Sequence, residues 1–248
     1  HLNAAGASVQ FTTVLGDDEL GRYVIEDLER ENITINSIID KTRPTTNKNA
    51  IIASDYRLLK IDTLDNRPIS NDICDKIIEK IKNTKTGIVS FCDFRHGIFN
   101  NHTVRKLIQS IPENSFKSAD SQVATRWGNI TEFKNFDLLT PNEREARFSL
   151  ADQDSTVGSL ANTIEEKTNC KNLILKLGDR GVFSARIEDD LAFSLDSFAN
   201  NVKDAVGAGD ALLAYSVLAL KVSGNLVMAS IVGSLAAACE CEYDGNVP

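Results

Sequence analysis

Positive charge is in short supply: 27 Lys and Arg face 35 Asp and Glu, a formal charge of −8 over 248 residues. A nucleic-acid groove needs a basic face, so no nucleic-acid partner is expected. A phosphate-bearing ligand would have to be met by local cations or backbone amides. No apolar run approaches the roughly 18 residues of a membrane-spanning helix, so no membrane partner is expected. Cysteines are few, odd in number and scattered, at 74, 92, 170, 239 and 241. Cys239-x-Cys241 lies in an apolar helical stretch and no second pair completes a zinc set. The five read as reduced, buried thiols, which fits a reducing, cytoplasmic compartment. Internal repeats, low-complexity tracts and linkers are also missing. His1, His96 and His102 stand near no acid–base set and read as surface residues, and Trp127 as packing.

What remains is an ordinary globular composition, 42% hydrophobic and 25% charged, enough for one core. The chain starts at His1 without a signal-peptide pattern and stops at Pro248 behind an apolar helix. Both ends read as cut, so a single domain over 1–248, incomplete at both ends, is expected.

Strand and helix signals alternate. Val9 to Leu15 reads as a strand, followed by a helix with Leu20, Val24 and Leu28 on one face and Asp17 or Asp18 as its cap. Residues 49–61 alternate like sheet, with a turn at Tyr56-Arg57. Isoleucines 73, 77, 78 and 81 form a helical stripe. Short strands are expected at 87–91, 136–139 and 172–177, helices at 102–111, from Glu143, and at 156–168. Val182 to Ile187 and Leu191 to Phe198 read as a meander. Two apolar helices follow, 207–222 and onward to about Cys241, parted by Ser223-Gly224-Asn225. Buried strands alternating with helices imply a three-layer α/β domain with a mostly parallel central sheet.

The segment Asp204-Ala205-Val206-Gly207-Ala208-Gly209-Asp210 carries the most chemistry. Its glycines flank a helix start, where free N–H groups and the positive dipole end can seat an anion. Asp210 would lie beside that anion, and amides next to a carboxylate are what phosphoryl transfer to an alcohol requires. The same residues equally suit a glycine-rich entry to a buried helix with Asp210 as a capping acid. No Gly-Lys-Ser/Thr follows, which excludes a Walker A loop, and the spaced Gly-x-Gly-x-x-Gly turn of dinucleotide folds is absent.

This segment resembles the Asp-Thr-x-Gly-Ala-Gly-Asp signature of the ribokinase-like (PfkB) carbohydrate kinases. Three more matches follow the family's order. Gly6 and Gly16, continued by Asp17, Asp18 and Gly21, resemble its N-terminal signature. Asn142 and Glu145, in Thr140-Pro141-Asn142-Glu143-Arg144-Glu145, are similar to its Pro-Asn-x-x-Glu motif. Leu175 to Gly181 is similar to its strand and Gly-x-x-Gly nucleotide turn. Within the family the heptose-7-phosphate kinase branch is the nearest in pattern. Pro44 to Lys48 resembles its Pro-Thr-x-x-Lys, Leu58 to Asp62 its Leu-Ile-Arg-Leu-Asp, and Ser90 to Gly97 its Ser-Asp-Tyr-x-x-Gly. Leu138 to Asn142 repeats its Leu-Leu-Thr-Pro-Asn. The chain departs at Ala205 and Val206, where the family carries a hydroxyl, and at Asp120-Ser121-Gln122, where heptose kinases have Asp-Pro-Lys. The family's sugar-gripping Gly-Gly-x-x-Asn would precede His1.

The resemblance implies a ribokinase-like fold with a small β lid and its N-terminal part missing. It also implies ATP and Mg²⁺ as cofactors and a sugar or sugar phosphate as acceptor. A homodimer through the lid is the expected protein partner. Asp210 would be the base, with Gly207, Ala208 and Gly209 presenting amides to the phosphoryl group. Lys176, at a strand's C-terminal end, would meet the nucleotide phosphates beside the Gly178–Gly181 turn. Asn142 would serve both nucleotide and metal, holding Mg²⁺ with Glu145 through water, although a helix cap with a capping box explains the same pair. Lys48 and Asp93 would touch substrate. A kinase of an unphosphorylated sugar or nucleoside, and a binding protein without turnover, remain as alternatives.

Overall fold

The computed structural model describes residues 1–53, 56–122 and 129–245. In chain order the first elements are β1 (Gln10–Leu15), α1 (Glu19–Arg30), β2 (Thr34–Ile39), β3 (Asn47–Ala53), β4 (Tyr56–Thr63), α2 (Asn71–Asn83), β5 (Ile88–Asp93) and α3 (Val104–Ser110). There follow β6 (Phe116–Ser121), β7 (Leu138–Leu139), α4 (Glu143–Leu150), α5 (Val157–Thr168), β8 (Leu173–Lys176), β9 (Val182–Arg186), β10 (Leu191–Leu195), α6 (Ala208–Ser223) and α7 (Leu226–Glu240). Residue contacts group these into two compact units, one of Ser8–Thr84 with His96–Pro112, the other of the remaining chain.

In the first unit β1 and β2 pair in parallel around α1. Asp18 caps α1 through Gly21 N, and its other oxygen accepts from Thr45 N at 2.7 Å. Thr45 Oγ1 in turn accepts from Gly16 N at 2.9 Å, so two separately recognised motifs clasp each other. Gly21 cannot carry a side chain, because a Cβ would run into the Gly16 carbonyl. Leu20 is exposed, leaving Val24 and Leu28 half-buried as the inner stripe of α1. Helix α2 starts at its Ser70 cap and buries Ile73, Ile77 and Ile81. Strands β3 and β4 form an antiparallel pair with Ala53 opposite Tyr56. Tyr56 and Arg57 are therefore strand residues and not the expected turn.

The second unit holds a six-stranded sheet, order β10-β9-β8-β7-β6-β5. The pairs from β5 to β8 are parallel, and β8-β9 and β9-β10 are the antiparallel meander. Ile174 packs with Leu138, Val182, Leu212, Val217 and Leu226 under α6 and α7. Leu173 and Leu175 alternate to the opposite face, where α5 contacts β8. This makes the unit a three-layer α/β arrangement. Helices α6 and α7 approach so closely that a methyl at Gly233 would collide with Ser216. Phe91, Phe133 and Phe136 form a mutually tilted aromatic cluster with centroids 5.7–6.4 Å apart. Strand β7 keeps only two residues of the expected 136–139 stretch.

Cys74, Cys170 and Cys241 are buried and free, but Cys92 and Cys239 are exposed, against the expectation of five buried thiols. His102 is on the surface. His96 is half-buried with its Nδ1 2.9 Å from Asn66 Oδ1, and His1 packs its ring 3.9 Å from Glu240, so neither is a surface residue. Trp127 lies outside the described residues. Among the described residues no helix is long and apolar enough to cross a membrane.

Glu165 on α5 is only 4% exposed, and its Oε1 has no hydrogen-bond partner among the described residues. Burial pushes its carboxyl from 4.5 up to about 7. The folded chain thus holds this proton where the unfolded chain releases it. Its stability contribution is complete below about pH 4.5 and is lost as pH rises through about 7. Glu165→Gln is expected to raise stability at pH 8 by about 1–3 kcal/mol and to change little at pH 4.5. Urea unfolding at the two pH values checks this, and an equal loss at both would contradict it.

Candidate active site

Lys176 closes β8 at the C-terminal end of the parallel strands, where open α/β sheets place ligands. Its backbone N donates to Pro141 O at 2.9 Å, which lays the Thr140–Asn142 stretch alongside. Beyond it, Gly178 and Gly181 both take positive φ, and Leu177 N bonds Gly181 O across the turn. A Cβ at Gly181 would collide with the backbone of Leu195–Ser197, so the turn is fixed against the end of β10.

Helix α6 enters the same place. Gly207 is its cap at φ +89, a left-handed conformation that favours glycine, and no side chain caps the first turn. A Cβ on Gly209 would lie 3.2 Å from Lys176 Nζ, so the helix start abuts the lysine. A side chain at Gly209 would require the Lys176 ammonium to shift by a few tenths of an ångström. Asp210 sits in this first turn.

The lysine's ammonium is already paired. Its Nζ donates to Asp120 Oδ2 at 2.7 Å, with the two side chains 14% and 9% exposed. Burial opposes the charge on Lys176, but the carboxylates of Asp120 and Glu145 outweigh it and raise its pKa. Asp210 is shifted upward, first by burial and then by the charge of Asp120, with Lys176 partly offsetting. Burial, opposed by Lys176, takes Glu145 up to about 7. One ammonium thus serves three carboxyls, and an aspartate held above its ordinary range beside uncapped amides can accept a proton.

Asn142 caps α4: its Oδ1 accepts from Glu145 N at 2.8 Å, and Glu145 Oε2 accepts from Asn142 N at 2.7 Å. The capping box is real, and Glu145 turns toward Lys176 and Asp120 from it. No three His, Cys, Asp or Glu side chains among the described residues converge to cage a metal ion. The donor set is nevertheless all oxygen with excess negative charge, which fits a hard divalent cation that keeps its waters.

Asp93 is a different case. Its side chain is fully buried, one oxygen accepting from Arg95 N at 2.8 Å and the other from Ser121 Oγ at 3.0 Å. Arg95 pairs with it at 2.8 Å and with Glu132 at 3.0 Å. Burial, eased by Arg95, brings its carboxyl up to about 6. These partners anchor Asp93 at the end of β5, and its expected substrate contact stays a proposal. Lys48, in β3 of the other unit, is exposed and stands opposite Asp62.

Sequence reasoning missed Asp120 as a site residue. Its signal was present: a lysine at the end of an apolar strand demands an anion, and Asp120 lies in the neighbouring segment between the buried Ala119 and Ser121. That segment, Phe-Lys-Ser-Ala-Asp-Ser, is too polar to read as a strand, so β6 went unseen.

A family profile described as pfkB family carbohydrate kinase matches residues 2–247. The chain belongs to this family. Its members are carbohydrate kinases, phosphotransferases with an alcohol acceptor. Among curated relatives, the bifunctional protein HldE of Aliarcobacter butzleri is 26% identical over 244 residues, covering 96% of this chain and 50% of the relative. HldE of Helicobacter pylori is 28% identical over 247 residues, covering 96% and 52%. The chain therefore spans about half the length of the curated relatives it matches. Among solved structures, a phosphofructokinase-2 variant from Escherichia coli aligns with TM-score 0.81 at 16% identity, over 99% of this chain and 81% of that one. Ribokinase from Thermotoga maritima aligns with TM-score 0.74 at 22% identity, over 98% and 77%. These likenesses establish the α/β ribokinase-like fold, a mixed and mostly parallel sheet.

Proposed function

We propose that this pfkB-family chain is an ATP-dependent sugar kinase that transfers the γ-phosphoryl group to a hydroxyl of a heptose phosphate. The observation that carries the reading is Asp210 in the uncapped first turn of α6, whose Gly209 abuts Lys176. Asp210 removes the proton from the attacking hydroxyl. The amides of Gly207, Ala208 and Gly209 take up charge on the phosphoryl group, and Lys176 meets the nucleotide phosphates beside the Gly178–Gly181 turn. Positioning and electrostatics supply nearly all of the catalysis. Mg²⁺ would be held through its waters by Asn142 and Glu145 and would neutralise charge on the phosphates. Lys48 remains the candidate for the sugar side.

The HldE relatives support the heptose branch of this reading. The Asp120-Ser121-Gln122 stretch keeps a second acceptor class open, an unphosphorylated sugar or nucleoside, because Gln122 stands where the heptose kinases have a lysine. In its first position the carboxylate is committed to Lys176. Full-length protein with ATP and Mg²⁺, offered heptose 7-phosphate, free sugars and nucleosides with ADP release followed, separates them. The highest kcat/KM is expected with heptose 7-phosphate. Preference for an unphosphorylated acceptor moves the assignment, and ATP binding without ADP release from any acceptor leaves a binding protein only.

The β3–β4 pair exposes Ile51, Ile52, Leu58, Leu59 and Ile61. A two-stranded sheet with that much apolar surface is poorly stable alone, which supports a lid that pairs with a second copy. The double variant Leu58→Asp/Ile61→Asp is expected to sediment as a monomer where the unchanged protein is a dimer. A monomeric unchanged protein at micromolar concentration would end this proposal.

A further inference from the structure

A hollow lies at the end of the parallel strands away from Lys176. Its volume is about 610 Å³, within the range of small-molecule sites. Phe116 and Lys117 start β6, Asp137 immediately precedes β7, Lys171 stands two residues before β8, Arg186 ends the antiparallel β9, and Lys221 lies in the last turn of α6. Four cationic residues line it against two acidic ones, Asp137 and Glu113, on a chain whose formal charge is −8.

The acid nearest the cations is spent. Asp137 Oδ1 pairs with Lys171 at 2.7 Å, and its Oδ2 accepts from Lys117 N at 2.8 Å. Arg186 is fixed in place: Nε donates to Asn172 Oδ1 at 2.8 Å, Nη2 to Gly224 O at 2.9 Å, and Nη1 pairs with Asp189 at 3.1 Å. Lys117 and Lys221 form no ion pair among the described residues, and the Lys221 ammonium instead lies 5.9 Å from the Phe116 ring centre. Two lysines without carboxylate partners, a locked arginine and an aromatic residue lining one hollow are the elements of a phosphate-ester site.

We infer that this cavity binds a small phosphate-bearing anion, with Lys117 and Lys221 as its principal contacts and Arg186 as a preorganised wall. The site is separate from the kinase chemistry. Asp210 and Lys221 lie at opposite ends of α6, roughly 16 Å apart at 1.5 Å per residue, so an occupant here does not compete with nucleotide at Lys176.

Titration calorimetry on the full chain tests this, with the kinase site first saturated by a non-hydrolysable ATP analogue and Mg²⁺. Inorganic pyrophosphate and glycerol 3-phosphate are the probes, and chloride of equal ionic strength is the control. At least one probe is expected to bind, with affinity at least about tenfold weaker in Lys117→Glu/Lys221→Glu. The tighter probe tells a bare diphosphate from a phosphomonoester. Lys117→Gln/Lys221→Gln, with an unchanged unfolding midpoint, separates lost binding from lost folding. Equal affinity in unchanged and doubly substituted protein, or no binding beyond the chloride control, overturns the inference.

Discussion

Asp210→Asn is expected to lower turnover by roughly 10²–10⁴-fold, the usual cost of losing a positioned proton acceptor. ATP affinity should stay within a few-fold. The carboxamide keeps the shape of the first turn of α6 and keeps its amides available, so nucleotide contacts survive. It cannot take a proton, so the acceptor hydroxyl is left unactivated. Because burial and Asp120 raise the Asp210 pKa, the acid limb of the unchanged enzyme's kcat should lie above the ordinary carboxylate range. The variant should lose that limb along with its rate. A variant with near-normal kcat would remove Asp210 from the chemistry.

Lys176→Met is expected to act twice. Its ammonium is the ion-pair partner of Asp120 in a largely enclosed site, and removing one member of such a pair costs about 3–5 kcal/mol because the other is left unpaired. The methionine also withdraws the cation proposed for the nucleotide phosphates, so ATP affinity should fall by on the order of tenfold or more while acceptor affinity changes little. The two effects separate in a double-mutant cycle. Adding Asp120→Asn should recover much of the stability but none of the ATP affinity. Recovery of both would make Lys176 a structural residue only. Unchanged ATP affinity in Lys176→Met across a salt series would do the same.

These expectations rest on residues whose visibility in the sequence differed for physical reasons. The meander Val182–Leu195 and helices α6 and α7 were legible because their apolar patterns and the Ser223-Gly224-Asn225 break are strong local signals. Asp18 and Asn142 were legible in kind as capping residues next to a helix start. Strands β2 and β6 were not. Thr-Ile-Asn-Ser-Ile-Ile and Phe-Lys-Ser-Ala-Asp-Ser mix polar residues into positions that tertiary packing, and not local preference, commits to sheet. Losing β6 meant losing Asp120, and with it the recognition that Lys176 carries its own counter-ion. Asp93 was proposed by motif, and its partners Arg95 and Ser121 do not mark themselves in the sequence as such. The clasp between Gly16, Asp18 and Thr45 shows the reverse: two motifs recognised separately prove to be one hydrogen-bonded unit.

The central claim is that phosphoryl transfer takes place at the start of α6 beside Lys176. Its most direct test is a crystal structure of the full-length protein with a non-hydrolysable ATP analogue, Mg²⁺ and acceptor. The account predicts the terminal phosphate within hydrogen-bond distance of the Gly209 backbone N, Lys176 on the phosphate chain, and the acceptor hydroxyl against Asp210. A triphosphate seated anywhere else, with Asp210 turned away from the acceptor, would contradict it.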